Sequence, residues 1–243
     1  MESDTNSLGH SGALAETAID GQHRNGLVAS LATGDGPQSY EFNEGPDGRS
    51  VSVHAPDGTG RNLRMVWRAS NVARTLNHQA CDTWGTTNGP IAQQGVALRI
   101  AEAGGSCVRA LCVMKNIWNG GNWIFNAIGF SNGSFEVLGT VDLAEAFDPG
   151  GIIPSLPWRM CARVQGTSLQ WKVWPTARAQ TMWEDPKFGT TITLPSVWVY
   201  PGRPGFYLGH LEMGDDAAFA DESVNTLPAA PSNQTIAFEA CRC

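Results

Sequence analysis

From about Tyr40 onward, apolar and polar residues alternate with a period of two, in short runs broken by Gly and Pro, the pattern of strands with one buried face. In Leu63-Arg-Met-Val-Trp-Arg68, Leu63, Met65 and Trp67 share a face while Arg64 and Arg68 point the other way. Gly95-Val-Ala-Leu-Arg-Ile100 and Cys107-Val-Arg-Ala-Leu-Cys-Val-Met114 form a predicted pair, joined where Gly104-Gly105 permits a turn. Runs at Asn122–Phe130 and Phe135–Val141 follow, parted by Ser131-Asn-Gly-Ser134. Trp158–Val164 turns through Gln165-Gly-Thr167 into Ser168–Trp174. Alternation there sets Leu169, Trp171 and Val173 toward the core with Trp158, Met160, Ala162 and Val164, and Arg159, Arg163, Gln170 and Lys172 away from it. Gly205–Leu211 and Ala217–Val224 complete the series, and Leu143–Phe147 after Asp142 predicts one helical turn. No long amphipathic helix interrupts these runs, so the chain is predicted to be all-β, an antiparallel β-sandwich of jelly-roll type.

The first thirty-five or so residues depart from the pattern. Gly, Ser, Ala and Asn dominate, with one weakly apolar patch at Leu27-Val-Ala-Ser-Leu31. An extended arm (1–35) is therefore expected ahead of a sandwich over 36–224, and a Pro-, Ala- and Ser-rich tail over 225–243 behind it. So little apolar surface does not offset the roughly 1 to 2 kcal/mol per residue that backbone ordering costs. An ordered arm is thus expected to lie against other subunits of a homo-oligomer or larger assembly. With 28 Gly, 14 Pro and 9 Trp, the composition suits a loop-rich β protein, and 243 residues can bury a core without metal or disulfide staples. A net charge of −7 offers no attraction for phosphate backbones or anionic lipid, so neither nucleic acid nor membrane is an expected partner. No apolar run reaches the roughly 20 residues of a membrane-spanning helix, and Met1–Gly12 lacks the basic and apolar regions of an export signal.

Candidate chemistry is sparse. Of the six cysteines (Cys81, Cys107, Cys112, Cys161, Cys241 and Cys243), Cys107 and Cys112 are five apart in one strand, on opposite faces and roughly 16 Å from each other. They are expected as small buried hydrophobes, and the pairing of the rest stays open. Laminarinase-type hydrolysis needs two carboxylates on one strand face roughly 5 to 5.5 Å apart, and no Glu-x-Asp-x-x-Glu run is present. Glu41, Glu44 and Asp47 come nearest, but Pro46-Asp47-Gly48 predicts a hairpin turn. The five histidines lack paired ligand spacing, and Cys241-Arg-Cys243 has no second pair to complete a zinc site. Asp215, Asp216 and Asp221 are candidate calcium ligands, with a solvated strand edge as the alternative; no metal or cofactor is expected. The loop Trp118-Asn-Gly-Gly-Asn-Trp123 offers two indoles around a polar tip, a pattern that can stack on a sugar while Asn119 and Asn122 bond its hydroxyls. The alternative is that Trp118 and Trp123 end strands and pack in the core.

The block Pro157–Val224 resembles the second half of the concanavalin A-like jelly roll shared by laminin G-like modules, legume-type lectins and laminarinase-type glycoside hydrolases. More closely, Gln94-Gly-Val-Ala-Leu-Arg-Ile100, Val113-Met-Lys-Asn-Ile-Trp118, Asn122-Trp-Ile-Phe-Asn126 and Pro157-Trp-Arg-Met-Cys-Ala-Arg163 resemble the minor tail proteins of actinobacterial (mycobacteriophage-type) phages, over about residues 60 to 222. The resemblance implies a non-enzymatic structural or adhesive virion component, assembled in the host cytoplasm. Its partners would be other virion subunits, held through the arm, and host cell-envelope glycan. A capsid decoration protein of the same fold and a carbohydrate-active enzyme with a non-standard site are the alternatives.

Overall fold

The computed structural model describes residues 40–45, 50–69, 71–103, 106–116, 123–144 and 153–229, with the backbone of two further strands at Thr17–Ala18 and Leu27–Thr33. Those two are β1 and β2. The others are β3 (Glu41–Glu44), β4 (Ser50–His54), β5 (Arg64–Ala69), β6 (His78–Thr87), β7 (Gln93–Ala103), β8 (Ser106–Lys115), β9 (Ile124–Ser131), β10 (Ser134–Asp142), β11 (Trp158–Gln165), β12 (Ser168–Pro175), β13 (Gly189–Thr193), β14 (Arg203–Gly209) and β15 (Asp216–Thr226). They form two antiparallel sheets. The first runs β13-β12-β11-β6-β15-β4-β3 with β1 also against β15, and the second runs β10-β9-β8-β7-β14-β5-β2. The chain is an antiparallel β-sandwich, as the alternation predicts.

The inner faces carry the rows expected of them. Leu63, Met65 and Trp67 of the second sheet, and Trp158, Met160, Ala162, Val164, Leu169, Trp171 and Val173 of the first, belong to one buried cluster between the layers. The register Ala162↔Trp171 and Val164↔Leu169 joins β11 to β12 through the turn at Gly166, whose φ of +55° suits glycine. The sheets also reach into the expected arm: Leu27–Thr33 pairs with β5, Leu27 opposite Ala69, and Thr17–Ala18 pairs with Ser223–Val224. An edge strand gains a ladder of backbone hydrogen bonds without an apolar face of its own, so a weakly apolar patch suffices. The other residues of the arm, the tail from 230 and residues 145–152, which hold most of the expected helical turn, lie outside the described residues.

Cys81 and Cys161 face one another directly across β6 and β11 and form a disulfide between residues 80 apart in sequence. It lies on the outer face of the first sheet, where Trp174, Trp183 and Phe188 pack against it. Trp174 is thus buried outside the sandwich interior, out of phase with Trp171 and Val173. Cys112 is a buried free thiol, as expected, in the outer-face cluster of the second sheet.

β6 holds the centre of the first sheet yet places His78 and Asp82 inward, so its inner row is only half apolar. Opposite Asp82, a bulge between Ala220 and Ser223 admits an extra residue into β15, with Asp221 at φ +54°. The bulge turns Glu222 into the interior beside Asp82, while Gln94 Nε2 of the other sheet donates to Asp82 Oδ2 at 2.8 Å. Burial pushes the Asp82 carboxyl up to about 7; the Gln94 hydrogen bond and Arg159 pull down, and Glu222 pushes up. A carboxyl whose folded pKa exceeds its ordinary 3.8 holds its proton longer folded than unfolded. Its contribution is complete below that ordinary value and is lost as pH rises through about 7. His78 works the other way. Burial, aided by Arg99, lowers it from 6.5 to about 3, so it costs stability as pH falls below 6.5. The comparison with Asp82→Asn, which keeps an acceptor for Gln94, isolates the acid. Urea midpoints are expected to show the variant gaining on the wild type as pH rises from about 4 to 7 and holding a constant lead above. A lead that does not change with pH would contradict this.

Candidate functional site

Of the predicted sugar platform, Trp118, Asn119 and Asn122 lie outside the described residues, and Trp123 is a correction. Its indole is fully buried, edge-to-face with Phe125 at 5.9 Å and with Trp158 at 5.6 Å. The cause is phase: Trp123, Phe125 and Ala127 form one inward row. The candidate calcium ligands are spread out. Asp215 Oδ2 accepts from Glu212 N–H at 2.8 Å, Asp216 Oδ1 meets His54 Nδ1 at 2.9 Å, and Asp221 sits on the bulge, roughly 16 Å along the strand from Asp216. No group of three or more His, Cys, Asp or Glu among the described residues is placed to hold a metal ion. Glu41 and Glu44 lie on β3 in the expected hairpin with β4, opposite His54 and Val51, and Asp47 lies outside the described residues.

A different site emerges on the outer face of the second sheet. β5 and β10 are five strands apart, about 24 Å across a flat sheet. Yet the Arg64 guanidinium of β5 lies 5.4 Å from the centre of the Phe135 ring of β10. Phe130 of β9 likewise stacks on Tyr207 of β14 at 5.9 Å, across three strand spacings. Both contacts require the sheet to curl toward its outer face, making that face a trough. β2, at the far edge, touches β8 across the same concavity.

The trough floor is apolar where Ile128, Phe130 and Tyr207 meet Cys112 and Met114. Beside Arg64 and Phe135 it opens into a groove of about 200 Å³ whose lining sets Gln93, Asn116, Asn126, Thr140 and His210 beside the apolar Ile128, Phe130 and Val137. Asn126 accepts at Oδ1 from both Asn116 Nδ2 (3.2 Å) and Thr140 Oγ1 (3.0 Å). Two donors on one oxygen fix the amide's orientation, with Nδ2 as its donor end. The Tyr207 hydroxyl donates to Gln93 Oε1 at 2.9 Å, and burial raises the phenol well above its ordinary pKa, so it stays a neutral donor. Gly209 lets Tyr207 and Arg64 pack close against its backbone: a Cβ there would sit 2.6 Å from Tyr207 Oη and 3.2 Å from Arg64 Cγ. Phe135 and Val137 are more than half exposed on the groove's outer lip. An aromatic edge, oriented amides and a hydroxyl around a shallow concavity form the kind of surface that receives a sugar ring and its hydroxyls.

Asn116 joins this groove to a second cavity of about 150 Å³ at the end of the sandwich, lined by Trp84, Ile91, Lys115 and Leu156. Burial lowers the Lys115 ammonium to about 8, with Asp142 opposing, and Nζ donates to Asn116 O at 3.1 Å. The juxtaposed acids Asp82 and Glu222 are buried between the sheets and are not among the residues lining either opening. Neither opening is lined by Asp or Glu among the described residues. No described helix is long and apolar enough to cross a membrane.

No family model matches the chain, and no curated relative matches it. Solved structures do. The carbohydrate-binding module CBM66 from Bacillus subtilis aligns at 10% identity over 83% of this chain and 98% of its own, with a TM-score of 0.50. A β-glucanase of Bacillus licheniformis aligns at 12% over 84% and 93%, also at 0.50. The CBM2 module of the evolved Dit of Lactobacillus casei BL23 phage J-1 aligns at 14% over 83% and 92%, at 0.48. At such identities the likeness establishes the sandwich fold alone.

Proposed function

We propose that this protein is a non-catalytic structural and adhesive subunit of a phage virion, placed in the tail, that contacts host cell-envelope glycan through the trough of its second sheet. The observation that carries the glycan contact is the groove itself: Asn126 oriented by two donors, beside Gln93, Thr140 and the exposed Phe135, with no carboxylate on its wall among the described residues. Retaining or inverting hydrolysis needs two carboxylates at the substrate, and the groove supplies none among the described residues. The virion context rests on the resemblance of the four segments quoted above to phage minor tail proteins. One of them, Val113-Met-Lys-Asn-Ile-Trp118, contributes Asn116 to the groove. One shallow groove binds a sugar weakly, so useful adhesion depends on many copies arrayed on the particle.

The test is titration of the purified chain with oligosaccharides from host envelope polysaccharide, wild type against Asn126→Ala. The expected result is at least a tenfold loss of affinity with the thermal midpoint shifted by only a few degrees, and no release of reducing sugar by either protein. Unchanged affinity would move the site elsewhere, and sugar release would make the protein an enzyme. Antibody labelling of intact particles separates the tail from the head: label on the capsid surface would favour a decoration protein.

A further inference from the structure

We propose that copies of this protein bind one another head to tail, the arginine-bearing end of one sandwich taking the acidic end of the next. The inference stands apart from the glycan reading. β14 runs from Arg203 at one end of the sandwich to Gly209 at the other, roughly 20 Å of extended chain. At the first end, residues 71–77 and 197–203 are joined by Thr75 N–H to Gly202 O at 2.9 Å and Gly202 N–H to Thr75 O at 3.1 Å. Neither segment contains an Asp or Glu. Arg74 Nη2 donates to Pro201 O at 3.2 Å and Arg203 Nε to Val72 O at 2.9 Å, while Arg109 of β8 donates to Val197 O and lies over the rings of Trp198 and Tyr200. A main-chain carbonyl satisfies a guanidinium N–H without neutralising its charge. None of these three arginines makes an ion pair with a carboxylate among the described residues. Glu102 and Glu136, on the adjoining strands, are held by Arg68 and by the Trp198 indole N–H. In the same two segments Leu76 and Val197 stand exposed.

The opposite end carries the other sign. Residues 55–61 and 211–216 are joined in the same way, by Gly214 N–H to Ala55 O at 2.8 Å and Ala55 N–H to Asp215 O at 2.9 Å. They hold four carboxylates, Asp57, Glu212, Asp215 and Asp216, against one arginine, Arg61, which pairs with Glu212. His54 meets Asp216, and Asp215 accepts from the Glu212 N–H. Met213 is exposed beside Gly214, whose φ of +84° makes the turn. Each end therefore sets exposed apolar side chains among charges of one sign, and the two signs are opposite. The net charge of −7 repels a second copy at long range, so attraction comes from this local complementarity at contact. A phosphate polymer would match the arginines but not the exposed Leu76 and Val197, whereas an acidic loop with a methionine at its tip matches both. Two different faces make a heterologous contact, and each copy added leaves one face of each kind open until a ring closes.

The test is sedimentation velocity of the full chain over a concentration series, at low and at high sodium chloride, for wild type, Arg74→Glu and Asp216→Lys. Wild type is expected to self-associate at low salt and about tenfold or more weakly at high salt. Each variant alone is expected to associate about tenfold or more weakly than wild type. An equimolar mixture of the two is expected to regain wild-type affinity, because the intact arginine end of Asp216→Lys meets the intact acidic end of Arg74→Glu. A wild type that stays monomeric, an association indifferent to salt, or a loss in the variants that mixing does not restore overturns the proposal. A monomer that instead binds heparin, and loses it in Arg74→Glu, gives this end to an acidic polymer and overturns it too. Should either variant fail to fold, Arg74→Gln and Asp216→Asn take their places in the same mixing experiment.

Discussion

Arg99→Ala is expected to lose more than about 4 kcal/mol of stability, enough to unfold a large fraction of a domain whose total is about 5 to 15 kcal/mol. Arg99 is fully buried, and burial lowers its guanidinium to about 10, with Tyr200 opposing. Its donors reach three separate segments: Nη1 to Trp198 O at 2.6 Å, Nη2 to Leu76 O at 2.9 Å, and Nη2 also to Gly166 O in the β11–β12 turn. Its own N–H donates to His78 Nε2 at 2.9 Å. Truncation takes the charged donors from three main-chain carbonyls, each worth about 1 to 3 kcal/mol, and opens a cavity besides. Arg99 also has φ +50°, at the bulge where β7 slips against β8 and β14. Arg99→Gly relieves that backbone strain but restores no donor, so it is expected to lose nearly as much as alanine. Denaturant unfolding of the pair checks this. A glycine variant near wild-type stability would show that the residue matters for its backbone alone.

Trp171→Ala is the second large effect, an expected loss of about 3 to 5 kcal/mol. The indole is fully buried in the interior, on a strand paired on both sides, opposite Ala162 of β11 and Thr190 of β13. Interior strands relax poorly around a void, so little of the lost contact is recovered. Gln170→Ala, one residue away on the outward row, is expected to change stability by less than about 1 kcal/mol, because its bonds to Arg163 and Thr191 are partly solvated. Denaturation midpoints that fail to separate the two variants would contradict the register.

Those two residues mark what could be read from sequence. Trp171 sits in an unbroken alternation, and β11 and β12 follow it residue by residue. β6 escaped because half of its inward row is polar, His78 and Asp82 being satisfied by partners from other strands. Bulges defeat a period of two, so neither Arg99 at the β7 slip nor Glu222 turned inward on β15 was visible. The Cys81–Cys161 pairing joins residues 80 apart, and only sheet order brings them together. Trp123 stayed open between platform and core because an indole beside a Gly-rich segment has the same local sequence whether it packs inward or stands exposed. The groove could not be assembled from spacing at all, since Arg64, Gln93, Asn126, Phe135 and His210 come from separate parts of the fold. One signal was present: Asn126 falls on the outward row between Ile124 and Ile128, a polar residue in an otherwise apolar line.

The most direct measurement of the central claim is a crystal structure of the full chain with a bound oligosaccharide. The account places the sugar in the concavity of the second sheet, a ring beside Phe135 and a hydroxyl within hydrogen-bond distance of Asn126 Nδ2. Sugar bound only on the outer face of the first sheet, or only at residues 117–122 with the trough empty, would contradict it.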